Sequence, residues 1–541
     1  MNNRLHPRLW RESTLHWAQA IAAYIVEQDP DREVYTCESG ITPSGTVHFG
    51  NLREIITVSA VGHALKALGK KTTVLFVWDD FDRYRKVPAN VEASFSQYIG
   101  QPVSKIPDPC GSHKSYAMHF EQAFEHSLKE FAIDVSFVYQ SERYESGLYD
   151  DLMIHALAHR TEIARIILSH MTQKSKDTRG ITEEIFINSY YPIQVYSKHT
   201  GTDETEILGV EKESLITYRC IRTNAVEQFD LRTDRRAKLR WKVDWAMRWK
   251  YEGVVFEPAG HDHASPGSSF DVSSDIARNV FGCEPPFLAE FKFVGIQGQG
   301  GKMSGSKGNA ISPAQLLEIF EPEILAWQYF RKSPDQQFQI ALDSETIRLY
   351  DEFDRSVAGI KAGTASPSAH YALTLAGADT IPDNPIPFRQ AVAFGQLTQW
   401  DPERVNSLRV ELGETFNPES VLRRLLRAKA WLEKYNPDEM IHLRTSVNQE
   451  QFTKLSDESR AHIEALRQIL TERKYTSLHE LEALLYEIPK IPESSEKENA
   501  ARQKEFFKDV YRLLIDKDRG PRLATFLWVI GTPKIIPLLS L

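Results

Sequence analysis

The chain has little cysteine: four residues in 541, Cys37, Cys110, Cys220 and Cys283, far apart and with no Cys-x-x-Cys spacing. That excludes a disulfide framework and gives no sign of a zinc knuckle, so the thiols are expected to be reduced. Any run of about 18 apolar residues, the length a membrane-crossing helix needs, is also missing. The first ten residues, Met1–Trp10, carry Arg4, Pro7 and Arg8 instead of the apolar stretch of a secretion signal, which leads to the expectation of a cytoplasmic enzyme. Positive charge is not in excess. The net charge of -9 argues against a general polyanion binder, because such affinity comes from neutralising phosphates with Lys and Arg. Any nucleic-acid site must therefore be a local basic surface. Internal repeats and low-complexity tracts are absent. What is present is 41% hydrophobic content, enough for about two to four domains with cores of their own.

Roughly the first 300 residues alternate strand-like runs, Val34–Cys37, Thr73–Trp78 and Val135–Tyr139, with helical periods such as Tyr116–Phe131. That alternation predicts a parallel α/β sheet. From Ile347 onward strand-like runs become rare, and Val421–Tyr435, Ser459–Glu472 and Asn499–Ile515 have helical spacing. The C-terminal third is expected to be all-helical.

Two loops carry the chemistry. The first, Pro43-Ser44-Gly45-Thr46-Val47-His48-Phe49-Gly50-Asn51, follows the first strand-like run and precedes Leu52–Leu68, whose Ile55, Ile56, Ala60, Ala64 and Leu68 have helical spacing. His48 to Asn51 then lies at a helix N-terminus, where free N–H groups and the positive dipole end favour a polyphosphate. Gly45 and Gly50 lack the Cβ that would hold a nucleotide away, and His48 adds a donor able to stabilise a pentavalent phosphorus transition state. Taken alone, the segment also fits an ordinary strand-turn-helix connection with a surface histidine.

The second loop, Lys302-Met303-Ser304-Gly305-Ser306-Lys307-Gly308, follows a strand-like run, Phe291–Val294, and glycines at 298, 300 and 301. Its lysines could close on phosphates. By itself it equally fits a solvated Gly/Ser/Lys linker. Two basic stretches, Arg232–Arg240 and Arg423–Lys429, are candidate RNA surfaces or simply solvated faces.

Together the loops resemble the HIGH and KMSKS signatures of class I aminoacyl-tRNA synthetases. The segments between them narrow the resemblance to the class I lysyl-tRNA synthetases: Trp78-Asp79-Asp80-Phe81-Asp82 with Arg85-Lys86-Val87-Pro88, Lys238–Trp245 with Arg248-Trp249, and Phe256–Gly267. The resemblance runs in order from about Trp17 to Phe320, with weaker similarity beyond. It implies a Rossmann-like parallel-sheet catalytic domain over residues 1–315 with a subdomain inserted at about 175–240. A stem-contact helical region over 316–390 and a helical anticodon-binding domain over 391–541 would follow; Arg519-Gly520-Pro521-Arg522-Leu523 resembles that last part.

The implied reaction is ligation of L-lysine to tRNA(Lys) through lysyl-adenylate, with ATP as substrate and Mg2+ accompanying it, and with neither membrane nor DNA as partner. His48, Asn51, Lys302 and Lys307 are the expected catalytic residues. ATP is expected at Pro43, Ser44, Gly45, His48, Gly50, Asn51 and Lys302, Met303, Ser304, Gly305, Ser306, Lys307. Gly260 and Asp262, just past the strand-like Val254–Phe256, are assigned to the ribose, although Asp262 could instead cap a helix. Gly40, Thr42, Trp241 and His263 are expected to line the lysine pocket, with Trp241 alternatively a core residue. Asp80, chosen from Asp79, Asp80 and Asp82 by placement, is the expected partner of the ε-ammonium; the alternative is a loop pinned by Arg83, Arg85 and Lys86.

Three departures stand out. Asn51 occupies the place of the first signature's second histidine, and Gly305 that of the second signature's second lysine, with Lys307 two positions later. Some relatives carry Cys-x-x-Cys pairs for a structural zinc where this chain has Ile187–Cys220 and keeps one cysteine; His199 and Cys220 do not make up a set of about four ligands, so no metal site is expected. A class I synthetase for glutamate, arginine or cysteine would share the loops but not the Asp79–Asp82 and Gly260–His263 settings together. A catalytically inactive tRNA-binding paralogue is the other alternative, motivated by Gly305.

Overall fold

The computed structural model describes residues 3–178, 180, 182–298 and 310–540. They form two compact units, Met1–Ala341 with Ser356–Asp379, and Leu342–Arg355 with Thr380–Leu541.

The first unit begins its sheet with β1 (Tyr35–Ile41), β2 (Thr72–Trp78) and β3 (Ser136–Tyr139). Between β1 and β2 runs the helix Leu52–Ala67, buried on most of its surface. A small antiparallel region follows: β4 (Ile193–Val195), β5 (Thr205–Glu211), β6 (Leu215–Cys220), β7 (Val226–Asp230) and β8 (Ala237–Leu239). There β5, β6 and β7 form one sheet, while β4 and β8 pair with each other, Ile193 opposite Leu239 and Val195 opposite Ala237. The helix Trp241–Glu252 ends at Gly253, in the left-handed region at φ 63°, and leads into β9 (Val254–Gly260) and β10 (Phe287–Phe291).

The main sheet has the order β10-β9-β1-β2-β3 and is parallel throughout. β11 (Val294–Ile296) pairs with β12 (Phe338–Ile340) in a separate parallel ribbon. The strand-like run Phe291–Val294 is therefore not one strand. β10 stops at Phe291, and the N–H of Lys292 turns to the carbonyl of Pro334 at 2.8 Å. β12 also places residues past 315 in the first unit, whose chain continues to 341.

A parallel sheet covered on both faces favours strands that are apolar along their whole length. β2, Thr-Thr-Val-Leu-Phe-Val-Trp, obeys this. The central β1 and its neighbour β9 do not: each buries a glutamate, Glu38 and Glu257.

The second unit has no strand among its described residues. Helices Glu419–Tyr435, Asp457–Glu472 and Glu496–Ile515 match the periodic segments, and a core including Leu466, Leu513, Leu514 and Phe526 holds the C-terminal ones together. No helix of the described residues is long and apolar enough to cross a membrane.

Candidate active site

Because β1, β2 and β9 run parallel, the loops after them leave the same edge of the sheet. That is the carboxyl edge where ligands bind in open α/β sheets. Residues 42–51, 79–82 and 261–263 all lie beyond it.

The first loop is tied down from several sides. Ser44 N–H donates to the Thr42 carbonyl at 2.8 Å, and Tyr116 Oη–H donates to the Ser44 carbonyl at 3.0 Å. Pro43 and Gly45 are buried, while Ser44 is exposed. His48 precedes a single 3-10 turn, Phe49–Asn51, that feeds directly into the helix Leu52–Ala67. Its N–H donates to Asn51 Oδ1 at 3.2 Å, so the asparagine amide serves this helix start through its oxygen. Gly50 has a steric reason: a Cβ there would stand 2.8 Å from two atoms of the His48 ring.

Lys302, Met303, Ser304, Gly305, Ser306 and Lys307 lie outside the described residues. The chain leading away from them touches the first loop directly. Phe49 N–H donates to the Ile311 carbonyl at 2.9 Å, and the Phe49 carbonyl accepts from Tyr329 Oη–H at 2.8 Å. Residues more than two hundred and fifty positions apart in the chain are thus fastened at the N-terminus of one helix.

Gly40 is near the end of β1, where a Cβ would meet the Val77 carbonyl oxygen at 2.6 Å. Thr42 Oγ1–H donates to Asp82 Oδ2 at 3.2 Å. Gly260 ends β9, and the short helix His261–Ala264 exposes Asp262 and His263. Trp241 starts its helix half-buried, 5.8 Å from the His263 ring, stacked on Trp245 at 4.9 Å, with the Arg248 guanidinium 5.4 Å from its centroid. Gly40, Thr42, Gly260, Asp262, His263 and Trp241 are thereby gathered around the ends of β1 and β9.

Asp80 behaves differently from its expected role. Its carboxylate accepts from Ser141 N–H at 2.7 Å and from the Ser141 hydroxyl, and so caps the helix Gln140–Glu145. Burial pushes its carboxyl up to about 6. Asp82 pairs with the buried Lys238 and more loosely with Arg85 at 3.9 Å; burial works against ionisation, but Lys238 outweighs it and holds the carboxyl below its usual range. Asp79 pairs with Arg248 at 2.9 Å, and burial raises it to about 6. Arg248 also faces Asp244 at 3.5 Å. Glu257 accepts indole N–H bonds from Trp245 at 2.9 Å and Trp249 at 2.6 Å.

The family model described as tRNA synthetases class I (K) matches residues 15–373, from before β1 past the end of β12. This chain belongs to the class I (K) tRNA synthetases. A protein named lysine--tRNA ligase from Thermococcus kodakarensis is 36% identical, with 97% of this chain and 99% of that one aligned. Proteins of the same name from Streptomyces coelicolor and Treponema pallidum are each 34% identical, over 97% and 98% of this chain and 98% and 99% of theirs.

In this family member the two basic stretches are largely committed within the protein. Arg232 pairs with Asp151, Arg235 with Asp150, Arg236 with Asp234 and Glu227, and Lys238 with Asp82. In the second stretch Arg424 is a core residue. A charge run read along a sequence does not distinguish these partners from a phosphate.

One group of side chains escaped the sequence reading. Asp108, Cys110, His113 and His119 bring one ligand atom each to within 4.8 Å of one another, a donor set that could hold a metal ion. The loop also satisfies itself. Asp108 accepts from the N–H groups of Ser112 and His113 at 2.6 and 2.7 Å, and both histidine Nδ1 atoms lie 3.0 Å from its oxygens. Burial opposes ionisation of Asp108, yet the His113 and Cys110 bonds outweigh it and hold the carboxyl well below its usual range. The spacing Asp-x-Cys-x2-His-x5-His carries the signal in the sequence, and it contains no cysteine pair. Around Cys220 the neighbours are hydroxyls, those of Ser197, Thr223 and Thr200, which outweigh burial and lower the thiol to about 6.

Proposed function

We propose that the chain ligates L-lysine to tRNA(Lys), using ATP and releasing AMP and pyrophosphate. The observation that carries the reading is the Phe49 N–H bond to Ile311, which fastens the exit of the second signature segment to the first at a helix N-terminus on the carboxyl edge. Full-length similarity to proteins named lysine--tRNA ligase supplies the choice of amino acid.

In the first step a lysine carboxylate oxygen attacks the α-phosphorus, the bond to the bridging oxygen breaks and pyrophosphate leaves. In the second a terminal ribose hydroxyl attacks the lysyl carbonyl and AMP leaves. Positioning and charge stabilisation do most of the work in such transfers. His48 donates to the phosphates at the positive end of the helix Leu52–Ala67, Lys302 and Lys307 follow the leaving pyrophosphate, and Gly260 with Asp262 receives the ribose. Asn51 helps by holding the turn. Gly40, Thr42, Trp241 and His263 take the amino acid. Mg2+, held mainly by phosphates and water, accompanies ATP, and the cytoplasm supplies all three substrates.

Residues 316–390 are assigned to the stem of the tRNA and the helical residues 391–541 to its anticodon. A cavity of about 640 Å³ in the helical unit, lined by Arg389, Lys517, Arg519 and Arg522 together with Asp343, Glu414 and Glu439, supports RNA binding there, since cationic side chains hold phosphates and unpaired bases. Amino-acid-dependent exchange of pyrophosphate into ATP across the twenty amino acids, with and without tRNA, tests the reading. Exchange with lysine is expected; exchange with another amino acid, or none, overturns it.

A further inference from the structure

Beneath the carboxyl edge the first unit buries more negative than positive charge. Glu38 on β1, Glu257 on β9, Asp79 after β2 and Asp244 on the helix Trp241–Glu252 surround one buried guanidinium, Arg248. Three of these carboxylates have a donor, although Asp244 Oδ2 makes no hydrogen bond among the described residues and only faces the Arg248 Nε at 3.5 Å. Arg248 serves Asp79 and Asp244, Tyr144 Oη–H also donates to Asp244, and two indoles serve Glu257. Glu38 is the remainder. It is 1% exposed, and its Oε2 accepts no hydrogen bond among the described residues. A buried carboxylate oxygen without a partner is costly, and a native structure retains one where something else completes it.

The position indicates what completes it. Side chains alternate along a strand, so Glu38, Gly40 and the following Thr42 share a face of β1. Two residues of strand span about 7 Å, comparable to the reach of an extended four-carbon stem from a backbone held near Gly40. Gly40 itself carries no side chain between Thr42 and Glu38, its Cβ position being closed by the Val77 backbone at 2.6 Å. The same face is covered by the helix that bears Trp241, Trp245 and Arg248, so aromatic walls suited to a hydrocarbon stem with a cationic tip stand beside it. We infer that Glu38 is the specificity-determining carboxylate that receives the ε-ammonium of the bound amino acid, an inference that rests on the lysine reading above. Asp80 is unsuited to this role because Ser141 occupies it from both sides. Burial and then the neighbouring Glu257 hold the Glu38 carboxyl well above its usual range, with Asp79 and Glu252 adding to the effect and Arg248 opposing it. An arriving ammonium replaces that proton as the partner.

The test is pyrophosphate exchange by the full chain and its Glu38→Gln variant, with L-lysine and with L-norleucine, which has the same stem and no charge. The variant is expected to raise KM for lysine about tenfold to a hundredfold, the range of a lost bond between charged groups. KM for ATP should stay unchanged, and the preference for lysine over norleucine should collapse. A general packing defect would lower activity without changing that preference. Should Glu38→Gln fail to fold, Glu38→Asp keeps the charge one carbon further back and is expected to shift preference from lysine toward its homologue one methylene longer. Absence of lysine-dependent exchange in the parent chain overturns the functional reading. Lysine-dependent exchange in the parent, with the preference unaltered in folded variants, overturns the assignment of Glu38 alone.

Discussion

The α/β unit buries Arg53, which is bonded to backbone carbonyls, and Arg248, and the helical unit buries Arg424; the two that pair with carboxylates, Arg248 and Arg424, are treated differently. In the helical unit Arg424 is fully enclosed and closes a bidentate pair with Asp354 at 2.7 and 2.6 Å, adds the Ile386 carbonyl at 2.8 Å, and lies 5.2 Å from the Tyr350 ring centroid. In the α/β unit Arg248 stands among four buried carboxylates and reaches two of them, Asp79 and Asp244; two indoles supply Glu257, and Glu38 Oε2 is left without a hydrogen bond among the described residues. A closed pair fixes helices relative to one another and asks nothing of solvent or substrate. An unbalanced group keeps affinity in reserve for a cation from outside. Buried charge alone therefore says little; its balance separates architecture from function.

The largest expected effect lies in the chemistry of the α/β unit. His48→Ala should lower the rate constant of lysine-dependent exchange about a hundredfold to a thousandfold, with the urea midpoint unchanged; an unchanged exchange rate removes His48 from the phosphate site. Next comes the closed pair. Asp354→Ala leaves the Arg424 guanidinium buried and uncompensated, and should cost about 3 kcal/mol or more in urea unfolding. Exchange per folded molecule should persist, and a variant defective in exchange while fully folded would break the contrast drawn above.

The third effect is a pH dependence belonging to the α/β unit. Burial, with Asp80, Glu125 and Glu142 nearby, pushes Glu121 up to about 9 from an unfolded value of 4.5. Between these values the unfolded chain has released the proton and the folded chain retains it, so stability falls as pH rises through the interval and is greatest below it. Urea unfolding should show a Glu121 contribution of about 3 kcal/mol lost between about pH 6 and pH 8.5; Glu54, which burial raises to about 8, adds a loss of its own, so Glu121→Gln should reduce the slope without abolishing it. The smallest effect is at Asp80. Its replacement by alanine removes a helix cap and should cost about 1–2 kcal/mol while leaving KM for lysine unchanged; a raised KM would return Asp80 to the pocket.

The elements were legible wherever local periodicity decides them. The helix expected over Leu52–Leu68 is Leu52–Ala67, and those expected from Val421 and Asn499 start at Glu419 and Glu496, a few residues early because polar first turns carry no apolar signal. The run at Phe291–Val294 misled because its apolar residues belong to two strands in different sheets. The placement of the first loop at a helix start was legible from order alone. Partnership was not. Asp79, Asp80 and Asp82 are three similar letters, and only tertiary structure sends them to Arg248, Ser141 and Lys238. Glu38 drew no attention for the same reason: nothing within several residues of it in the chain announces that Arg248 and the indoles are engaged elsewhere.

The pairing of β4 with β8 has a consequence for how this chain can vary. Residues 193–195 and 237–239 run side by side, so the polypeptide between them departs from and returns to one spot, like a bag closed by a drawstring. Loops of very different length can be closed at small entropic cost when their ends already meet. Whatever is stitched between 196 and 236 can therefore be lengthened, trimmed or exchanged without respacing β3 and β9, provided that the clasp and its Lys238 are kept.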